Sequence, residues 1–307
     1  MAARVAARES QIVLGIDPDP QALWPQADGA PEIALADDAE PAQRAAAAVL
    51  AHCRALIDAT APAVVAVKLQ LARFELLGAP GRVALAAVAE HARAQGLLVI
   101  ADGKRGDIDV TARAYAAALF AGADTPFGHV DGLQADLATV NQLMGLDAIE
   151  PFVSCARESG AGVLVLVRTS NPGAADVEDL AVQDGGAVWE RVAALVDSLG
   201  AVGVGEAGLS DVGAVVGATE PSHLARAREL MPCACFLLPG VGAQGGRVED
   251  LAPAFAPGRA GGLVTASRSI AGAYLASDQS APGAHPAAAA RAEAERLRET
   301  AWALSGA

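Results

Sequence analysis

The sequence predicts an α/β protein built as a single (β/α)8 barrel of the TIM type, and three observations predict it. Short apolar runs rich in Val, Ile and Leu recur along the chain without polar alternation, as in parallel strands covered on both faces. Longer Ala-rich segments with helical spacing separate them. The 307 residues exceed the ~250 that such a barrel typically needs, so one domain over 1–307 is expected.

The strands are expected, in order, at IVLGI (12–16), VVAVK (64–68), LLVIA (97–101), ADLATV (135–140), GVLVLV (162–167), VGAVVGA (212–218), CFLLPG (235–240) and GLVTAS (262–267). Helices are expected at 41–59, 82–95, 110–121, 147–157, 186–199, 220–230 and 247–254, with 286–304 closing the chain. Polar, turn-rich stretches at 18–39 and 276–285 read as a long first βα loop and a linker to the last helix. An open doubly wound sheet is the structural alternative. However, the first strand runs into GIDPDP, and no G-x-G-x-x-G follows it, which weakens a dinucleotide-binding fold.

A composition of 53% hydrophobic and 19% charged residues supplies a large core and argues against disorder. The formal net charge of -14 argues against nucleic acid or an anionic membrane as partner, since the average surface would repel both. An anionic ligand therefore needs a local cationic pocket. No run reaches the ~18 apolar residues of a membrane span. The opening MAARVAARESQ has no apolar h-region, so the cytoplasm is the expected compartment. The C-x-C pair Cys233 and Cys235 lacks metal or redox spacing, and with Cys53 and Cys155 it reads as free thiols.

Of the 22 basic residues, only Lys68 and Lys104 are lysines. With Arg used everywhere else, these two are expected where a compact ammonium must release a proton. In a barrel of this kind catalytic groups project from the C-terminal strand ends. Those ends carry Asp17, Lys68, Asp102 with Lys104, Ser170, Pro239 with Gln244, and Arg268. Asp102 and Lys104 are two apart, so an extended backbone would aim both at one ligand. The Gly-rich PGVGAQGGR (239–247) and Ser267-Arg268 follow the last two strands, where this fold usually binds phosphate. Ser170 has a plainer reading as a turn residue before Pro172. The RGD triplet at 105–107 reads as an adhesion motif only in a secreted chain. The five histidines lie outside every motif, which argues against His-based acid–base chemistry.

DGKRGDIDVTARAY (102–115) closely resembles the signature of orotidine 5'-phosphate decarboxylase, particularly its second bacterial subgroup. GIDPDP (15–20), VKLQLARFELLG (67–78), TVN (139–141), RTSNPG (168–173), PGVGAQGG (239–246) and SRSI (267–270) follow in the family's order. The resemblance implies conversion of orotidine 5'-monophosphate to uridine 5'-monophosphate without metal or other cofactor. It implies that Asp102 faces the departing carboxylate, that Lys104 protonates C6, and that Lys68 and Asp17 hold the ribose and orient Lys104. It also implies a homodimer with shared active sites, in which Asp107, Ile108 and Thr111 reach into the partner's site. Ser170 would bond the pyrimidine edge, while Pro239, Gln244, Gly245 and Arg268 would belong to the phosphate end.

The chain departs from the subgroup's pattern at Lys68-Leu69-Gln70, where Lys-Pro-Gln is usual, at Arg73, where the pattern has Phe, and at Asn141-Gln142-Leu143, where Asn-Pro-Tyr is usual. None of these changes removes a charged catalytic group. Two alternatives remain at this level: a Mg2+-dependent decarboxylase or aldolase acting on a sugar phosphate, and a catalytically silent nucleotide-binding module. The Arg-Gly inside the motif and the RTSNPG loop favour the nucleotide enzyme over the first. Retention of both lysines favours it over the second.

Overall fold

The computed structural model describes residues 1–25, 39–183, 185–242, 245–276 and 285–306. Among the described residues there are ten strands: β1 (Ile12–Ile16), β2 (Ala66–Gln70), β3 (Leu98–Arg105), β4 (Ala123–Thr125), β5 (Gly128–Val130), β6 (Leu137–Val140), β7 (Gly162–Arg168), β8 (Val212–Val216), β9 (Phe236–Leu238) and β10 (Gly262–Ala266). Eight of them close into a barrel in the order β1-β10-β9-β8-β7-β6-β3-β2, with every pairing parallel. This is the (β/α)8 barrel that the alternating pattern predicts, and each of its strands overlaps the expected run.

Strand parity divides the core in two. Ile12, Leu14 and Ile16 of β1 join the larger cluster, which also holds Val49, Leu56, Val88, Phe152 and Leu224 of the surrounding helices. Val13 packs instead with Leu98, Ile100, Leu164, Val215, Leu237 and Leu263 in an inner cluster closed at one end by Val5 of the N-terminal helix Ala2–Arg8. Successive side chains on a strand alternate faces, so the inner parity continues from these residues toward the C-terminal strand ends. It runs Val13, Gly15, Asp17; Ala66, Lys68, Gln70; Leu98, Ile100, Asp102; and Leu263, Thr265, Ser267.

Helices Pro41–Thr60, Gly78–Ala94, Asp109–Leu119, Glu150–Glu158, Val188–Gly200, Pro221–Leu230 and Pro286–Leu304 match seven of the expected segments to within a few residues. The expected helix at 247–254 forms instead as two 3-10 turns, Val248–Asp250 and Ala252–Phe255. Pro253 has no N–H to give to an α-helical ladder, which accounts for the break. The antiparallel hairpin β4–β5 lies between the expected helix at 110–121 and the expected strand at 135–140, where no element is expected. Its strands have three residues each, too short to show a period in sequence. In the two expected linker regions, residues 26–38 and 277–284 lie outside the described residues.

Beneath the last two barrel strands, Arg228 is 8% exposed and donates to the carbonyls of Met231, Ala234, Ala254 and Gly261. Its guanidinium carbon lies 3.8 Å from the centroid of Phe236. Burial lowers its pKa to about 10, and the ring of carbonyls takes the place of hydration water. The cation thereby ties the 231–234 and 254–261 loops to the base of β9 and β10.

Candidate active site

A cavity of about 700 Å³ opens at the C-terminal ends of the barrel strands. Asp17, Lys68, Asp102, Lys104, Ser170, Pro239 and Arg268 all line it, so the fold gathers seven of the residues singled out by position in the sequence. Lys68 comes from β2, Asp102 and Lys104 from β3, Asp17, Ser170 and Pro239 from just past β1, β7 and β9, and Arg268 from the short helix Arg268–Ala271 after β10.

The charged groups form a chain of alternating sign. Asp102 is 4% exposed and accepts from Lys68 Nζ at 2.5 Å and from Lys104 Nζ at 2.6 Å, one ammonium on each carboxylate oxygen. Lys68 Nζ lies 3.8 Å from Asp17 Oδ1. Ser267 Oγ donates to the other Asp17 oxygen and lies 3.0 Å from the Gly15 carbonyl oxygen. A β-carbon on Gly15 would stand 2.6 Å from the Ser267 β-carbon, so only glycine admits this approach. The array therefore runs Asp17, Lys68, Asp102, Lys104 across the mouth of the barrel, with its two middle groups buried and its ends open: the Asp17 side chain is 30% exposed and the Lys104 side chain 46%.

Burial alone would raise the Asp102 pKa, but the Lys68 and Lys104 ammoniums outweigh it and hold the carboxyl at about 2. Burial alone would lower Lys68, which is 6% exposed. The Asp102 and Asp17 carboxylates reverse that and keep its pKa above the ordinary lysine value. Both groups are thus charged across the physiological range, and each is kept so by the other.

The local backbone of the motif differs from the extended form expected of it. Between the pairs Ala101–Ala138 and Arg105–Val140, β3 spends three residues where β6 spends one, so β3 bulges at Asp102, Gly103 and Lys104. Lys104 itself is left-handed, at φ 48°. The two side chains meet because the bulge folds Lys104 back over Asp102, not because a straight strand alternates. A β-carbon on Gly106 would lie 2.5 Å from the Asn141 carbonyl, which explains the glycine inside the charged motif.

Parity also supplies residues that motif reading passed over. Gln70, Thr139 and Thr265 occupy inner positions on β2, β6 and β10, and all three line the cavity. Gln70 Nε2 lies 3.4 Å from Asp102 Oδ2, and Thr139 Oγ donates to Asp102 Oδ1 at 2.9 Å. The signal was in the two-residue spacing from Ala66 to Lys68 to Gln70, and from Leu137 to Thr139.

Other expected site residues are placed elsewhere. Asp107, Ile108 and Thr111 do not line this chain's cavity. Asp107 accepts from the Ile108 N–H at 2.8 Å, Ile108 is 49% exposed, and Thr111 is exposed at the start of helix Asp109–Leu119. Gly245 is exposed at φ 91° and does not line the cavity, while Gln244 lies outside the described residues.

Comparison with known proteins gives the family. Residues 11–281 match the model of the Orotidine 5'-phosphate decarboxylase / HUMPS family. The chain belongs to that family. Among curated members, orotidine 5'-phosphate decarboxylase of Deinococcus radiodurans is 47% identical over 217 residues, covering 70% of this chain and 74% of that one. Its counterpart from Rhodopirellula baltica is 44% identical over 232 residues, covering 75% and 74%. The solved OMP decarboxylase of Leishmania donovani superposes with a TM-score of 0.73 at 30% identity, covering 100% of this chain and 99% of that one. Among the described residues, no helix of this family member is long and apolar enough to cross a membrane.

Proposed function

We propose that this chain catalyses the decarboxylation of orotidine 5'-monophosphate to uridine 5'-monophosphate, with the Asp102–Lys104 pair at the reacting carbon. The observation that carries the reading is the alternating Asp17–Lys68–Asp102–Lys104 array, with Lys104 at its more exposed end and Arg268 in the wall of the same cavity. The C6–carboxylate bond breaks, CO2 leaves, and the electron pair remains on C6. No ring carbonyl is placed to delocalise that pair, so the site must stabilise it by charge and protonate it as it forms. Lys104 supplies the ammonium and the proton, and an opposite charge about 4 Å away contributes roughly 4 kcal/mol at an effective dielectric of 20. Lys68, held charged by Asp102 and Asp17, keeps Asp102 ionised toward the departing carboxylate. Arg268 takes the phosphate, far from C6, where its binding energy holds the charge-dense site together. Ser170 bonds the pyrimidine edge.

A spectrophotometric assay of orotidine 5'-monophosphate loss, with and without EDTA, tests this reading. Turnover is expected without added metal and is expected to survive chelation. Complete loss with EDTA and rescue by Mg2+ would favour the sugar-phosphate branch of the family instead.

The reading extends to a cytoplasmic homodimer in which Asp107, Ile108 and Thr111 complete the partner's site. Support comes from the Arg105–Thr111 segment, which leaves its own cavity with Ile108 half exposed, and from four free thiols, which suit a reducing compartment. Asp107→Ala and Lys104→Ala homodimers should each be nearly inactive. Mixed under subunit exchange, they should regain about a quarter of wild-type activity, because half the dimers are mixed and each has one intact site of two. Activity no higher than that of the separate variants, with exchange verified by mass spectrometry, would place Asp107 outside any shared site.

A further inference from the structure

We propose that Thr139 is a positioning residue for the decarboxylation, one that holds Asp102 and the backbone of Lys104 in register. The inference rests on the functional reading above. Thr139 is 1% exposed on β6 and is the single residue opposite the β3 bulge. Its hydroxyl donates to Asp102 Oδ1 at 2.9 Å and accepts from the Lys104 N–H at 2.9 Å. One hydroxyl carries one proton and two lone pairs, so it makes both bonds at once.

The two bonds do different work. The Lys104 N–H is turned by the bulge and the left-handed φ of 48°, and the Thr139 oxygen meets it there. The same oxygen's proton reaches the carboxylate oxygen that also receives Lys104 Nζ at 2.6 Å. Both ends of the Lys104 residue, its amide and its ammonium, are thereby referred to one point on the neighbouring strand. A valine at 139 has nearly the same shape but can make neither bond. It leaves the Lys104 amide facing a methyl group and frees Asp102 to rotate under its two ammoniums. Serine keeps both bonds.

Steady-state kinetics with orotidine 5'-monophosphate, uridine 5'-monophosphate affinity and thermal midpoints of wild type, Thr139→Val and Thr139→Ser test the inference. Thr139→Val should lower kcat by about 10- to 100-fold, the scale of a small misplacement of reacting groups. KM and product affinity should stay within about threefold, because ground-state binding is made elsewhere. Thr139→Ser should bring kcat back to within about threefold of wild type. If the valine variant does not fold, Thr139→Ala carries the same comparison against serine. A valine variant with wild-type kcat, or valine and serine variants that fall alike, would overturn the proposal. Should wild type itself fail to turn over the substrate, the functional reading falls. If wild type is active and the valine variant matches it, only the role of Thr139 falls.

Discussion

Lys104→Arg is expected to abolish nearly all turnover while leaving the fold intact. The arginine keeps a positive charge beside Asp102 and can pair with it through two N–H groups, so the buried carboxylate stays compensated. A guanidinium, however, has a pKa above about 12 and gives up a proton poorly. Its planar fork also cannot occupy the point that Nζ reaches, 2.6 Å from Asp102 Oδ1, from a left-handed backbone. Loss of proton transfer alone is worth about 10²- to 10⁴-fold, and displacement of the charge from C6 adds to it. The measurement is kcat under saturating substrate, with the thermal midpoint as control. A variant that keeps more than about a tenth of wild-type kcat would show that charge, and not proton donation, is what Lys104 contributes.

Asp102→Asn is expected to be both inactive and destabilised, and the destabilisation should depend on pH in a defined direction. The substitution removes the anion between two ammoniums, one of them on a lysine 6% exposed. Breaking a buried pair from one side typically costs about 3–5 kcal/mol. Asp17, 3.8 Å from Lys68, remains as partial compensation and points to the lower end of that range. At an unfolding entropy of about 2.1 cal/mol/K per residue, a loss near 3 kcal/mol from this 307-residue chain corresponds to a midpoint lower by about 5 °C. The Asp102 pKa is depressed by its two ammoniums against the opposing effect of burial, so its stabilisation is present above the unfolded value of about 3.9. It is lost as pH falls through about 2. The gap in thermal midpoint between wild type and Asp102→Asn should therefore be full at neutral pH and should shrink below about pH 4. A gap that does not change between neutral pH and about pH 3 would mean that the carboxylate contributes shape and not charge.

The charged motif shows how much of the site was legible in the sequence. Asp102, Lys104, Lys68 and Asp17 could be found because each sits just past an apolar run, where a buried charge is costly unless it has a use. Thr139 and Thr265 lie within their runs and are uncharged, so nothing in composition marks them. Only the parity of a strand whose register is known puts them on the inner face. The bulge was not legible at all, since Asp-Gly-Lys-Arg reads equally well as extended chain.

The sequence by itself determined the eight barrel strands, their order and seven of the helices around them, because these are local properties carried by the spacing of Val, Ile, Leu and Ala. It also determined which charges the chain carries past its strand ends. The tertiary structure decided what those charges do to one another. Closure of β1 against both β10 and β2 is what brings Ser267 onto Asp17 across 250 residues of chain, and Asp17 within reach of Lys68. The bulge in β3 is what sets Lys104 over Asp102. A pKa near 2 for a carboxyl that burial alone would raise exists only once two ammoniums from different positions share its two oxygens. Electrostatic energy depends on distance and burial, and neither is a property of any residue until the barrel has closed.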